Sequence, residues 1–334
     1  MTEFSTKKII NNCNTMFKKD KYNILTFPTH ERYETQLAKT GHNFYSFHID
    51  KYKKWNSEQV IVPENYFIMP EGDFSSYIEY DFILSQSKFW QYQAAKQIQK
   101  SIRVPIISLE HTLPTPQTIQ PSHIEAMRNM VGDINIFISE YSAKAWDVKG
   151  KNIDIIHHGI NTLEFNNLNL DREDYVLTVA NDFVNRDYCL NYSGWKRVTD
   201  GIKIKLVGDT KGLSVSASST EELVLEYNKC GVYFNSTTLS PVPTSLLEAM
   251  SCGCAIVSTA TCMIPEVIEN GVNGFISNDE TELRNKIQYL LHNKEARLDM
   301  GKRARETIEN KFPEIAFINK WNEVFDLAYR ISIQ

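Results

Sequence analysis

One glutamate of this chain stands close to the predicted start of a helix. A polar loop at 235–243 ends in proline, and Thr244 and Ser245 then begin a helical stretch with Glu248 about one turn in. The first backbone N–H groups of a helix lack partners within the helix and suit a diphosphate. A carboxylate one turn in could accept two hydrogen bonds from a ribose diol. Alternatively, Glu248 only complements the positive end of the helix dipole.

Titratable residues also follow a predicted strand in the first half of the chain. Glu110 and His111 come at the end of an apolar run at 105–109. Side chains just past the carboxyl ends of parallel strands project into the ligand crevice of an α/β sheet, and histidine titrates near neutral pH. Glu110 and His111 are therefore the candidate catalytic residues, and a structural role is the alternative for the histidine.

The elements that must position these residues follow the pattern of a parallel α/β protein. Short apolar runs bounded by turn residues alternate with amphipathic helical stretches. Nine predicted strands fall into two groups: 22–27, 82–85, 105–109, 135–138 and 153–156, then 175–179, 202–207, 231–234 and 255–258. We therefore expect an α/β fold with two Rossmann-like parallel-sheet domains facing each other across a cleft.

The length of 334 residues also favours two domains, because one hydrophobic core usually stops growing at about 250–300 residues. The stretch 161–174, rich in asparagine and acidic residues, is the expected linker. We place the N-terminal Rossmann-like domain at 1–165 and the C-terminal one at 166–312. The last segment, 313–334, carries one wide apolar stripe of a helix, which either packs on the second domain or crosses back to the first.

Composition limits the kinds of partner. The net charge of -5 argues against non-specific polyanion binding by the whole molecule, although residues 1–60 are locally basic and include the cluster Lys51–Trp55. No window approaches the roughly 18–20 apolar residues of a membrane span, and the N-terminus lacks the apolar core of a signal peptide. Six scattered cysteines predict reduced thiols rather than a zinc site. We expect a soluble, cytoplasmic protein.

The helical stretch around Glu248 belongs to a longer pattern. Residues 235–257 read NSTTLSPVPTSLLEAMSCGCAIV, and the chain continues as IPEVIENGVNGF at 264–275. This pattern resembles the donor-site motif of retaining family-4 glycosyltransferases of the GT-B fold, with its LLEAMACG and PEVIEDGVNGL segments. Upstream, HGIN at 158–161 and LVGD at 206–209 are similar to the family's HGVD and VGDG. The resemblance implies transfer of a sugar from a nucleoside-diphosphate sugar, most simply a UDP-sugar, to a hydroxyl acceptor.

The same resemblance implies that the first domain is acceptor-side and the second binds the donor. The donor-binding candidates are Gly208, Asp209, Ser240, Val242, Pro243, Thr244, Ser245 and Glu248. In the family two glutamates stand eight positions apart, and here Ser240 occupies the place of the first, which addresses the donor sugar. The identity of the sugar therefore stays open.

Negative charge that develops on the leaving phosphate needs fixed donors or cations. The sequence offers no convincing metal-holding Asp-x-Asp motif, so we expect neither a metal nor a cofactor. By resemblance, an arginine in the turn after the strand 175–179 reaches the diphosphate; Arg186 is the first candidate and Lys196 the second. A solvated surface charge is the alternative for both.

Two first-domain loops also match the family in part. His111 is similar to a family histidine that contacts the donor sugar and the reacting centre. After the first strand, however, the family's glycine-rich loop is replaced by a loop without glycine, so that His30, Glu31 and Arg32 become acceptor-side candidates.

The stretches 29–45, 107–113 and 240–248 resemble small family-4-like transferases of large DNA viruses and phages. This likeness points to double-stranded DNA bearing hydroxymethylated bases, such as 5-hydroxymethylcytosine, as the acceptor. The alternatives are a cell-surface glycan acceptor, a nucleotide-sugar epimerase of the same fold, and an inactive binding module. No amphipathic basic helix indicates a membrane surface, so no stable membrane association is expected.

Overall fold

The first domain is built on a seven-stranded parallel sheet. The structure is a computed structural model that describes residues 19–49, 55–57, 60–115, 119–150 and 152–333. The sheet order is β3-β2-β1-β4-β5-β6-β7. Its strands are β1 (Asn23–Thr26), β2 (Asn43–Ser46), β3 (Tyr66–Ile68), β4 (Phe82–Ser85), β5 (Ile106–Glu110), β6 (Ile134–Phe137) and β7 (Ile153–Ile155). The helices between them are α1 (Glu31–Ala38), α2 (Trp90–Ile102), α3 (Pro121–Arg128) and α4 (Glu140–Trp146).

The second domain has a five-stranded parallel sheet in the order β12-β11-β10-β8-β9. Its strands are β8 (Glu173–Val179), β9 (Ile204–Val207), β10 (Cys230–Asn235), β11 (Ala255–Ser258) and β12 (Phe275–Ile276). Its helices are α5 (Asp187–Leu190), α6 (Tyr192–Thr199), α7 (Thr220–Lys229), α8 (Thr244–Ser251), α9 (Ile264–Val267), α10 (Glu280–His292) and α11 (Lys294–Lys311). The prediction of two parallel α/β sheets is confirmed, and β2, β3 and β12 are additional to the predicted strands.

Apolar burial explains why the central strands form where they do. Every residue of β4, β5, β10 and β11 is buried, as expected for parallel strands covered by helices on both faces. Asp279 caps α10 by accepting a hydrogen bond from the backbone N–H of Glu282 at 2.8 Å. The carboxyl ends of the strands carry the loops that hold the predicted site residues.

The last helix, α12 (Glu314–Ser332), lies against the first domain. Asp326 accepts a hydrogen bond from the Tyr22 hydroxyl at 2.8 Å, and Trp321 Nε1 donates to the Tyr33 hydroxyl at 3.2 Å. Gly159 permits this approach, because a Cβ there would lie 2.8 Å from the Cβ of Phe317. The chain therefore returns from the second domain and covers the first.

Candidate active site

The start of α8 presents backbone donors without a side-chain cap. Its N-cap residue, Pro243, supplies no side-chain hydrogen bond to the N–H groups of the first turn. Thr244 and Ser245 form that turn, Val242 is buried just before it, and Ser240 lies half-buried in the preceding loop. An uncapped helix start of this kind suits an anionic group.

Glu248 lies one turn into α8 and is buried, with 6% of its side chain exposed. Its Oε2 accepts a hydrogen bond from the Tyr227 hydroxyl at 2.9 Å, and its Oε1 accepts one from Arg32 Nη1 at 2.8 Å. Burial raises the pKa of Glu248, while Arg32 and then Tyr227 oppose that rise. Arg32 belongs to α1, so the contact joins the two domains. The sequence placed Arg32 on the acceptor side; the structure places it on the carboxylate predicted to bind the donor.

Gly208 and Asp209 follow β9 and lie against the turn after β8. Gly208 has a φ of +127°, and a Cβ there would meet the carbonyl oxygen of Ala180 at 2.1 Å. The backbone N–H of Asp209 donates to Asn181 Oδ1 at 2.8 Å, and its carbonyl accepts from Asp182 N at 2.6 Å. Gly208 therefore acts by allowing two loops to meet at the carboxyl edge of the sheet.

The two predicted phosphate-binding cations are exposed. Arg186 lies in the turn after β8, and its guanidinium forms no hydrogen bond or ion pair with any residue whose position is described. Lys196 lies on α6, where its Nζ is 5.6 Å from the centroid of the Tyr192 ring. The structure brings neither side chain into contact with Glu248. Both remain predictions for a diphosphate held in the cleft.

His111 follows β5 and packs in an aromatic cluster. Its imidazole meets the Tyr33 ring edge-on with the centroids 4.6 Å apart, and Tyr33 meets His158 in the same way at 5.5 Å. Burial lowers the pKa of His111 well below the ordinary value for histidine, and His158 and His30 lower it further. Burial also lowers the pKa of His158 to about 3. Both imidazoles are therefore neutral at pH 7.

A buried glutamine sets the tautomer of His111. Gln86 Nε2 donates to the carbonyl oxygen of Phe27 at 3.2 Å, which fixes the orientation of the amide. Gln86 Oε1 then lies 3.2 Å from His111 Nε2. Because an amide oxygen can only accept, His111 Nε2 carries the proton and Nδ1 keeps its lone pair. Sequence reasoning missed Gln86, although it directly follows the predicted strand 82–85.

Glu110 is placed differently from its neighbour. Its Oε1 accepts hydrogen bonds from Thr112 N at 2.9 Å and Thr112 Oγ1 at 2.7 Å, and its Oε2 accepts one from Lys88 N at 3.1 Å. Burial raises the pKa of Glu110 and lowers that of Lys88 to about 8. Both oxygens are engaged inside the first domain, so Glu110 holds the loop that carries His111, and its catalytic role remains a prediction.

The remaining acceptor-side candidates begin α1. His30 is the N-cap residue, and its backbone N–H donates to Glu34 Oε1 at 3.2 Å. Glu31 Oε1 accepts from Asn56 N at 3.3 Å. Both residues follow β1, beside the His111 loop at the same sheet edge. Their role toward an acceptor remains a prediction.

The lysines that make residues 1–60 locally basic lie largely outside the described residues. Lys7, Lys8, Lys18 and Lys51 to Lys54 belong to that undescribed set. Lys19 is described and pairs with Asp81 at 2.9 Å. Lys21 is exposed.

Metal-ligating side chains do not cluster in the part of the chain that the structure describes. Those residues contain no group of three or more histidine, cysteine, aspartate or glutamate side chains that could hold a metal ion. Among the helices of the same residues, none combines the length and the apolar character required to cross a membrane.

Known proteins match both the second domain and the whole fold. A family model described as glycosyl transferases group 1 matches residues 213–307. Sucrose-phosphate synthase from Thermosynechococcus elongatus superimposes with a TM-score of 0.74 at 14% identity, covering 93% of this chain and 100% of that one. Anabaena HepE, in complex with UDP-glucose, gives a TM-score of 0.70 at 15% identity, covering 91% and 99%. The fold is GT-B. The predicted enzyme class, glycosyltransferase, agrees with the family model over residues 213–307.

A curated relative matches only a short segment. N-acetyl-alpha-D-glucosaminyl L-malate synthase of Bacillus anthracis is 33% identical over 82 residues, which is 24% of this chain. The match spans 22% of the length of that protein. The donor and the acceptor of this chain are therefore argued from the site.

Proposed function

We propose that this protein transfers a sugar, with retention of configuration, from a UDP-sugar to a hydroxyl acceptor. One observation carries the proposal: the carboxylate of Glu248 lies one turn into the uncapped helix α8 and pairs with Arg32 of the first domain. The GT-B fold and the group 1 segment support the donor class. UDP is the proposed nucleotide because HepE, a neighbour of the same fold, was solved with UDP-glucose.

The site residues divide the chemistry between the two domains. The ribose diol donates to Glu248, and the diphosphate lies at the start of α8, where backbone N–H groups stabilise the charge that develops on the leaving phosphate. Arg186 adds positive charge from the turn after β8. On the opposite side, neutral His111 can hydrogen-bond hydroxyl groups of the sugar or acceptor. Ser240 is shorter than the family's glutamate and leaves room beside the sugar.

For the acceptor, we propose the hydroxymethyl group of a modified pyrimidine in double-stranded DNA, such as 5-hydroxymethylcytosine. The resemblance of 29–45, 107–113 and 240–248 to viral transferases supports this choice. Within a duplex the nucleotide would have to turn out of the stack to reach the cleft, which costs a few kcal/mol. Contacts to phosphates would make the activity fall steeply with salt.

The deciding experiment uses hydroxymethylated and unmodified DNA with a panel of nucleotide-sugars, followed by nuclease digestion and nucleoside mass spectrometry. A sugar-sized mass gain confined to hydroxymethylated DNA supports the proposal. Transfer to a glycan acceptor with no gain on DNA rejects the DNA acceptor and keeps the transferase. Conversion of the donor to its epimer without an acceptor rejects transfer altogether. The anomeric configuration of the product, read by NMR, tests retention.

A further inference from the structure

The ion pair between Arg32 and Glu248 makes a first-domain residue part of the nucleotide site. The two residues are 216 positions apart, and Nη1 of the arginine lies 2.8 Å from Oε1 of the glutamate. Tyr227, on α7, donates to the other carboxylate oxygen at 2.9 Å. Each oxygen of a carboxylate can accept about two hydrogen bonds, so one position remains on each oxygen for the two hydroxyls of a ribose.

The same pair controls the charge of the buried carboxylate. An ionised carboxylate removed from water is costly unless a cation or hydrogen-bond donors accompany it. Burial raises the pKa of Glu248, Arg32 and Tyr227 lower it, and Glu164 raises it. Two further titratable side chains, those of Tyr233 and Cys252, also interact with Glu248. Arg32 is thus the cation from the first domain that keeps the Glu248 carboxylate ionised.

We propose that Arg32 is a positioning residue of the nucleotide site, which holds Glu248 ionised and aimed at the ribose diol from the opposite domain. The pair persists in the nucleotide complex, and nucleotide binding therefore requires the two domains in contact. This inference rests on the proposed function, in which Glu248 binds ribose. The competing arrangement, in which Arg32 must leave before ribose can bind, predicts the opposite effect of removing the arginine.

The test measures the affinity for UDP by calorimetry from pH 5 to pH 8. Arg32→Ala should weaken binding by about tenfold or more at pH 7, the scale for losing a hydrogen bond to a charged group. As the pH is lowered, the UDP affinity of Arg32→Ala should begin to fall at a higher pH than that of the wild type. Without Arg32 the pKa of Glu248 is higher, so the carboxylate is protonated at a higher pH. Arg32→Lys should restore much of the affinity at pH 7 and much of the wild-type pH dependence. Lys39→Ala is the matched control, because it removes an ion pair next to the same helix, with Glu314 at 2.6 Å, away from Glu248.

A double-mutant cycle shows whether Arg32 acts through Glu248. Adding Arg32→Ala to Glu248→Gln should weaken UDP binding little beyond the effect of Glu248→Gln alone. Equal or tighter UDP binding by Arg32→Ala, or fully additive losses in the double variant, would overturn the inference while leaving the proposed function intact. Failure of the wild-type protein to bind UDP, GDP or ADP would overturn both.

Discussion

Tyr33 connects His111 to the last helix of the chain. Its ring meets the imidazole edge-on with the centroids 4.6 Å apart, and its hydroxyl accepts a hydrogen bond from Trp321 Nε1 at 3.2 Å. Tyr33 is buried, and burial raises the pKa of its hydroxyl, so the ring stays neutral. The position of the predicted catalytic histidine therefore depends on helix α12 as well as on the loop after β5.

Replacing His111 by alanine should lower turnover far more than UDP affinity, because a group near the reacting centre acts mainly in the transition state. We expect a fall in kcat of about 10²–10⁴-fold, the usual range for a positioned proton-transfer or hydrogen-bonding side chain. Steady-state kinetics and calorimetry measure the two effects separately. His123→Ala, at an exposed position on α3, is the control. Normal turnover of His111→Ala would make the residue structural.

Glu248→Gln should weaken UDP binding by about 1–3 kcal/mol, the scale for hydrogen bonds to a charged partner. Thermal stability should change little, because the amide oxygen of glutamine can still accept from Tyr227. In the wild type, affinity should fall as the pH falls through the raised pKa of Glu248, and this acid loss should be absent in the variant. Glu295→Gln, at an exposed position on α11, is the control. UDP affinity equal to wild type would remove Glu248 from the site.

Activity should survive EDTA, since the predicted stabilisers of the leaving phosphate are backbone N–H groups and Arg186 rather than a metal ion. The assay compares initial rates before and after chelation, with added Mg²⁺ or Mn²⁺ as the reference. Arg186→Ala should lower kcat, whereas a variant of the exposed Lys302 should not. If EDTA abolishes activity and either ion restores it, a metal ion stabilises the charge that develops on the leaving phosphate.

Gly208→Ala should destabilise the second domain, because the new methyl group would meet the Ala180 carbonyl oxygen at 2.1 Å. The strained backbone alone costs about 1–3 kcal/mol. Gly212→Ala in the same loop is a matched control, since Gly212 also has a positive φ but no described atom lies within 4 Å of the place its methyl group would take. Chemical denaturation should show a larger loss for Gly208→Ala. Equal losses of unfolding free energy in the two variants would show that the loops after β8 and β9 move apart at little cost.

The sequence predicted every described strand of the two sheets except β2, β3 and β12, which lie at a sheet edge or next to one. Strands β5 and β10 read as continuous apolar runs because both of their faces are buried. In β3, by contrast, Phe67 and Ile68 are exposed, and β12 has only two residues. Segments this short carry no usable periodicity, so only the surrounding sheet shows that they are strands.

The parts of the candidate site that lie within one short stretch of sequence could be predicted. The contacts between residues that are distant in sequence could not. Glu248 was predicted from its place one turn into a helix together with the resemblance of residues 235–257 to a donor-site motif. Its partner Tyr227 lies 21 residues away on another helix, and no local pattern marks it. Arg32 was predicted as an acceptor-side residue, but its partner Glu248 could not be predicted because the ion pair exists only when the domains meet.

The return of α12 also affects how the protein is made. Residues 314–332 leave the ribosome after the whole second domain, yet Trp321 and Phe325 are fully buried on helix α12, which covers the first. Until then, the aromatic surface around Tyr22 and Tyr33 lacks its cover and remains open to non-native contacts. The first domain can thus gain this cover only after the second domain has been synthesised.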